Sequence, residues 1–94
     1  MKLPAVTPGI VYKDLADGGI LFSTQQEIYF SLNAVGAAIW RLLPPECDTL
    51  EEMVARLSAQ YPEVGAEVIE RDVRDLLADL EREGLVEARE ATRS

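Results

Sequence analysis

The chain has 94 residues and a mass of 10.4 kDa, the length of one domain rather than two and enough for one modest core, since about 60–65% of the unfolded surface is buried at this size. Seventeen acids against nine bases give a net charge of −8, which opposes binding to duplex DNA or to an anionic membrane. Histidine is absent and Cys47 is the only cysteine, so the commonest general base and metal ligand are missing and neither an intrachain disulfide nor a thiolate metal site can form.

The opening stretch, Met1 to Pro8, carries one lysine and two prolines and lacks the apolar core of a signal peptide. No apolar run approaches the roughly 18–20 residues that cross a bilayer, so a soluble, cytoplasmic protein is expected. Ile10-Val11-Tyr12-Lys13 is β-branched and aromatic and predicts a first strand. Leu15-Ala16-Asp17-Gly18-Gly19 supplies an Asp-Gly turn signal, and Gly19 to Ser23 predicts a second strand. After the polar turn Thr24-Gln25-Gln26, a third strand is predicted over Glu27 to Leu32. There Ile28, Phe30 and Leu32 alternate with Glu27, Tyr29 and Ser31, giving one apolar face and one mixed face. Two close hairpins imply an antiparallel meander whose third strand is an edge.

Helices follow. Asn33 is a good N-cap, and Val35, Ala38, Ile39, Leu42 and Leu43 then recur at helical spacing until Pro44-Pro45 stops the run. Thr49-Leu50-Glu51-Glu52 is a capping box, in which the Thr hydroxyl and the Glu carboxylate each satisfy an orphan backbone amide. It opens a second helix with Leu50, Met53, Val54, Leu57 and Tyr61 inward, ended by Pro62 and Gly65. A third helix is predicted from about Ala66 to Glu83, with Ile69, Val73, Leu76, Leu77 and Leu80 inward and Gly84 as the residue after its cap. Leu85-Val86-Glu87 is expected to be a short extended segment, and the polar tail from Ala88 is expected to fray. The fold class read from this order is α+β: a winged helix-turn-helix-like unit in which a three-stranded antiparallel sheet packs on three helices. A single domain, 1–94, is expected, with its core at about 10–87.

Few residues suit catalysis. Cys47 has no histidine to activate it, and Glu46 and Asp48 on either side disfavour a thiolate, so an inert loop residue is expected. Asp72, Asp75 and Asp79 share one flank of the third helix. That flank is read either as a solvated face partly tied by an Arg71–Asp75 pair, or as a groove wall where Asp72 and Asp75 accept hydrogen bonds from a bound chain. Trp40 falls off the main stripe of the first helix, and a satellite-core position is expected. Tyr29 is either a half-buried sheet tyrosine or part of a ligand wall. The third helix is net negative, which argues against its entering a DNA groove. No enzyme activity, metal or cofactor is implied.

An uncovered third strand has another use, since its free N–H and C=O groups can pair with an extended peptide. The candidate peptide-binding residues are Ile28, Tyr29 and Phe30 on that strand, facing Val68, Asp72, Asp75 and Leu76 on the third helix.

The order Gly18-Gly19-Ile20-Leu21-Phe22, Ile28 through Asn33, Ala38-Ile39-Trp40-Arg41-Leu42-Leu43, Thr49 through Val54, Tyr61-Pro62, Asp72-Val73 and Leu76 through Val86 resembles the PqqD-like family over about residues 10–87. The resemblance implies a RiPP recognition element, a non-catalytic domain for ribosomally made, post-translationally modified peptides. Such a domain takes up the leader of a precursor peptide as an added strand between the third strand and the third helix. The likeness is greatest to the stand-alone leader-binding proteins of lasso-peptide biosynthesis. That implies a precursor leader, typically of Tyr-x-x-Pro type, as ligand. A transglutaminase-like cysteine leader peptidase and an ATP-dependent macrolactam cyclase are the implied processing partners. The alternative readings are a winged-helix adaptor that docks a folded protein and a winged-helix transcriptional regulator.

Overall fold

The computed structural model describes residues 1–88. In chain order the elements are β1 (Ala5–Val6), β2 (Ile10–Leu15), β3 (Gly18–Ser23), β4 (Ile28–Asn33), α1 (Ala34–Arg41), α2 (Leu50–Gln60), α3 (Ala66–Arg82) and β5 (Val86–Glu87). Strands β2, β3 and β4 form the expected antiparallel meander in that order. The α+β architecture of a three-stranded antiparallel sheet with three helices is therefore as read from the sequence. The tail expected to fray lies, beyond Ala88, outside the described residues.

Local chemistry sets most boundaries. The Asn33 side chain accepts the Gly36 N–H at 2.7 Å and starts α1 directly from β4, without a loop. Thr49 accepts the Glu52 N–H at 3.2 Å while the Glu52 carboxylate accepts the Thr49 N–H at 3.3 Å, completing the capping box of α2. At the end of α3, Gly84 takes φ +77°. The Gly84 N–H bonds the Glu81 carbonyl at 3.0 Å and the Leu85 N–H bonds the Leu80 carbonyl at 2.9 Å. That pair of bonds is a Schellman closure, which favours a glycine at the left-handed position.

Three features depart from the sequence reading. The N-terminal stretch is structural: Leu3 is fully buried, Lys2 bridges Thr49, and β1 pairs antiparallel with β5. The first strand runs on to Leu15, so the turn sits at Ala16–Asp17 and Gly18 opens β3. Finally, α1 packs against β3 and β4 as well as α2 and α3. It therefore buries Gly36, Ala37, Ala38, Ile39 and Trp40 and leaves Val35 exposed, with Leu43 buried in the turn that follows. A helix enclosed on several sides has no single stripe, and Trp40 joins the main core rather than a satellite one.

One contiguous core runs from the inner face of the sheet through α1 to α2 and α3, with Leu21, Ile39, Leu43, Met53, Leu57, Val73 and Leu80 nearly sealed from solvent. Each such side chain contributes about 1.5–3 kcal/mol. Among the described residues no helix is long and apolar enough to cross a membrane, and no group of three or more His, Cys, Asp or Glu side chains is placed to hold a metal ion.

Candidate functional site

Both edges of the three-stranded sheet are strands without a further partner among the described residues, and they differ in chemistry. Along β2 the edge carries Lys13 and Asp14. The Tyr12 hydroxyl donates to Asp14 at 2.5 Å, and Arg41 donates to both Tyr12 and Asp14 at 3.1 and 3.2 Å. The hydrogen bond to Asp14, then burial, holds the Tyr12 phenol above its usual range. Charge at a strand edge discourages pairing with a further strand. The other edge, β4, reads Ile28-Tyr29-Phe30-Ser31-Leu32-Asn33 and carries no charge.

Which backbone groups of β4 are free follows from the ladder. The Thr24 N–H donates to the Gly9 carbonyl at 3.0 Å, across the β2–β3 pair. Backbone groups alternate sides along a strand, and the register is unbroken from Gly18 to Ser23. Even-numbered residues of β3 therefore bond β2, and Gly19, Leu21 and Ser23 bond Leu32, Phe30 and Ile28. The N–H and C=O groups of Tyr29 and Ser31 are left pointing at the open edge.

Beside that edge lies a cavity of about 430 Å³ between β4, the first turns of α1 and α3. Its floor is apolar, formed by Phe30, Leu32, Ile39 and Leu76, and its far rim is Asp72, Asp75 and Asp79. The Gln26 amide in the β3–β4 turn donates to the Glu83 carbonyl at 3.2 Å, linking that turn to the end of α3.

Of the residues singled out in the sequence, Phe30, Asp72, Asp75 and Leu76 line this cavity together. Ile28 is half-buried on the same face of β4 and Val68 lies one turn before Asp72, 40% exposed; neither lines the cavity. Tyr29 is 69% exposed and turned to the outer face of the sheet. There its ring tilts against Phe22 with centroids 4.8 Å apart, in line with their direct cross-strand register. Ser31, Leu32, Val35, Ile39 and Asp79 also line the groove. Period-two alternation from Phe30 was the signal for Leu32, and the seven-residue step from Asp72 was the signal for Asp79.

The electrostatics of α3 also differ from the sequence reading. Arg74 pairs with Glu70 at 3.0 Å, and Arg82 pairs with Asp79. Among the described residues no ion pair joins Arg71 to Asp75, and Asp72 and Asp75 remain unpaired on the groove rim. Exposed pairs at this spacing contribute only about 0.3–0.5 kcal/mol, too little for spacing alone to choose the partner.

Cys47 sits in the loop between α1 and α2 but is 1% exposed. Burial is the main cause that pushes its thiol up, ahead of Glu52 and Glu46, while Arg56 pulls the other way. Burial thus outweighs the flanking acids invoked from the sequence. The native state keeps the thiol proton to higher pH than the unfolded chain, so this group lowers stability as pH rises above the ordinary thiol range. A disulfide reagent at neutral pH is expected to label Cys47 at least roughly 100-fold more slowly in the folded protein than in urea. Equal rates would contradict the burial.

The chain shares its sequence pattern and its fold with known proteins. The model of the family described as Coenzyme PQQ synthesis protein D (PqqD) matches residues 18–86, from the start of β3 to β5. Among solved structures, the chain is similar to TbiB1 in complex with the TbiA(beta) leader peptide, with a TM-score of 0.78 and 32% sequence identity over 96% of this chain and 99% of that chain. No match is found among curated proteins. With the family model spanning the whole groove-forming region, the chain belongs to the PqqD family, the one its motifs resemble.

Proposed function

We propose that this protein is a non-catalytic RiPP recognition element that captures the leader segment of a precursor peptide in the cytoplasm. The leader adds as a strand to the open edge of β4, its inward side chains entering the groove against α3. In this reading the protein serves a lasso-peptide pathway, delivering the leader to a cysteine leader peptidase and from there to a macrolactam cyclase. The supporting observation is the uncharged β4 edge, with the backbone groups of Tyr29 and Ser31 unpaired beside an apolar-floored groove. A similar chain, TbiB1, has been solved with a leader peptide.

The physics divides the work. Each backbone hydrogen bond made at the edge contributes a net of about 0.5–1.5 kcal/mol. Ordering a disordered leader costs about 2–5 kcal/mol, so the ladder alone falls short of the roughly 8 kcal/mol that micromolar affinity needs. Burying an apolar side chain of the leader on Phe30, Leu32 and Leu76 contributes about 1.5–3 kcal/mol and provides the selectivity that backbone pairing lacks.

A synthetic Tyr-x-x-Pro leader peptide is expected to bind with a micromolar or tighter Kd in titration calorimetry, and hydrogen exchange is expected to slow at the Tyr29 and Ser31 amides. Absence of binding would refute leader capture; binding without protection of those amides would refute strand addition at β4. Leu76→Asp, which puts a further carboxylate into the groove floor, is expected to weaken binding about tenfold. Tyr29→Ala removes only a side chain flanking the added strand and is expected to weaken it about threefold. Unchanged affinity for both variants places the groove elsewhere.

A further inference from the structure

The groove has two chemistries in one short cross-section. Its floor is apolar, with Phe30 and Leu76 half-buried and Leu32 and Ile39 almost fully so. Its rim on α3 is anionic, and its carboxylates are not equivalent: Asp79 is held by Arg82, whereas Asp72 and Asp75 make no ion pair among the described residues. Three residues apart on a helix, their Cβ atoms lie about 5–6 Å from each other, near enough for one cation to touch both.

Resting on the leader-capture reading above, we propose that the groove selects a leader with one lysine or arginine at a groove-facing position. The aliphatic stem lies over Leu76 and the floor, and the charged head sits between Asp72 and Asp75. The alternatives fit worse. An apolar side chain fills the floor, but the covering strand then strips water from the two carboxylates without replacing it. An acidic side chain is repelled. A short polar side chain leaves the floor empty. Only a long side chain with an apolar stem and a cationic tip satisfies both surfaces at once. The net charge of −8 adds a long-range attraction that speeds encounter with such a peptide and fades with salt.

The test is a set of synthetic Tyr-x-x-Pro leaders, each with one lysine or arginine replaced by norleucine, which keeps the apolar stem and removes the charge. One replacement is expected to raise Kd roughly five- to tenfold at low ionic strength, and less at high salt. Against the Asp72→Asn/Asp75→Asn variant that same replacement is expected to have no effect, the signature of a direct pair in a double-mutant cycle. A Glu63→Gln/Glu81→Gln variant, with the same change in net charge at exposed positions away from the groove, is expected to keep the full effect. If every norleucine leader binds as tightly as its parent, charge selection at Asp72 and Asp75 is overturned while leader capture stands. If no leader binds at all, the underlying reading fails instead.

Discussion

Ser31→Pro is expected to weaken leader binding by at least about 30-fold while the protein stays folded. The reasoning rests on which way one amide points. The β3–β4 register turns the Phe30 backbone toward Leu21 and leaves the Ser31 N–H at the open edge. Proline at Ser31 removes no ladder bond from the native sheet, and edge strands tolerate it on the outward side. It does remove one donor from the docking edge, and its ring fills the path of an incoming strand. Those two losses are together about 2 kcal/mol or more. The native cost is about 1 kcal/mol at most, a melting-temperature drop of roughly 4–8 °C for a chain this size. Phe30→Pro is the matched control. Its N–H faces β3 and its side chain packs against the core, so proline there is expected to unfold the protein. If Ser31→Pro binds the leader normally, no strand adds at β4; if Ser31→Pro unfolds and Phe30→Pro does not, the assigned direction of the amides is wrong.

How far such a site is legible in sequence depends on the range of the physics involved. Asn33, the Thr49–Glu52 box and Gly84 were readable because capping is settled within four residues. The alternation of Ile28, Phe30 and Leu32 gave the inward face of β4 for the same reason. It also sets Tyr29 on the opposite, mixed face, where its ring meets Phe22, so Tyr29 flanks the groove rather than walling it. What stayed hidden is non-local. The pairing of Ala5 with Glu87 joins two-residue strands from opposite ends of the chain, and no local pattern encodes it. The burial of Cys47 and the enclosure of α1 depend on packing that only the assembled fold defines, and the exposed Arg74–Glu70 pair is too weak for spacing to single it out. The groove itself was half legible. Asp72, Asp75 and Leu76 came from helical spacing, but α1's contribution through Val35 and Ile39 depends on how that helix packs against β4 and α3, which only the assembled fold defines.

Gly18 carries the second large effect. Its place after Asp17 reads as a turn glycine, but the turn ends before it and the demand comes from close backbone approach. A Cβ at Gly18 would stand 2.0 Å from the Leu32 carbonyl oxygen and 2.8 Å from the Asn33 carbonyl carbon. Both are main-chain atoms at the junction of β4 and α1, so relief requires prising β3 from β4 where the N-cap of α1 begins. Gly18→Ala is expected to cost about 2–4 kcal/mol, a large share of the roughly 5–15 kcal/mol that holds a domain together, and to lower the melting temperature by more than about 10 °C. Gly19→Ala is the instructive neighbour. There a Cβ meets the outer end of the Tyr12 ring at 2.4 Å. That ring can swing toward solvent, at the expense of its hydrogen bonds to Asp14 and Arg41, for about 1 kcal/mol. Urea unfolding of the two variants is therefore expected to rank Gly18→Ala well below Gly19→Ala. Because Leu32 and Asn33 also border the groove, Gly18→Ala should lose leader affinity even at temperatures where it remains folded, whereas Gly19→Ala should not. Equal stabilities, or the reverse order, would mean that β3 and β4 do not meet in the register that leaves Tyr29 and Ser31 facing outward.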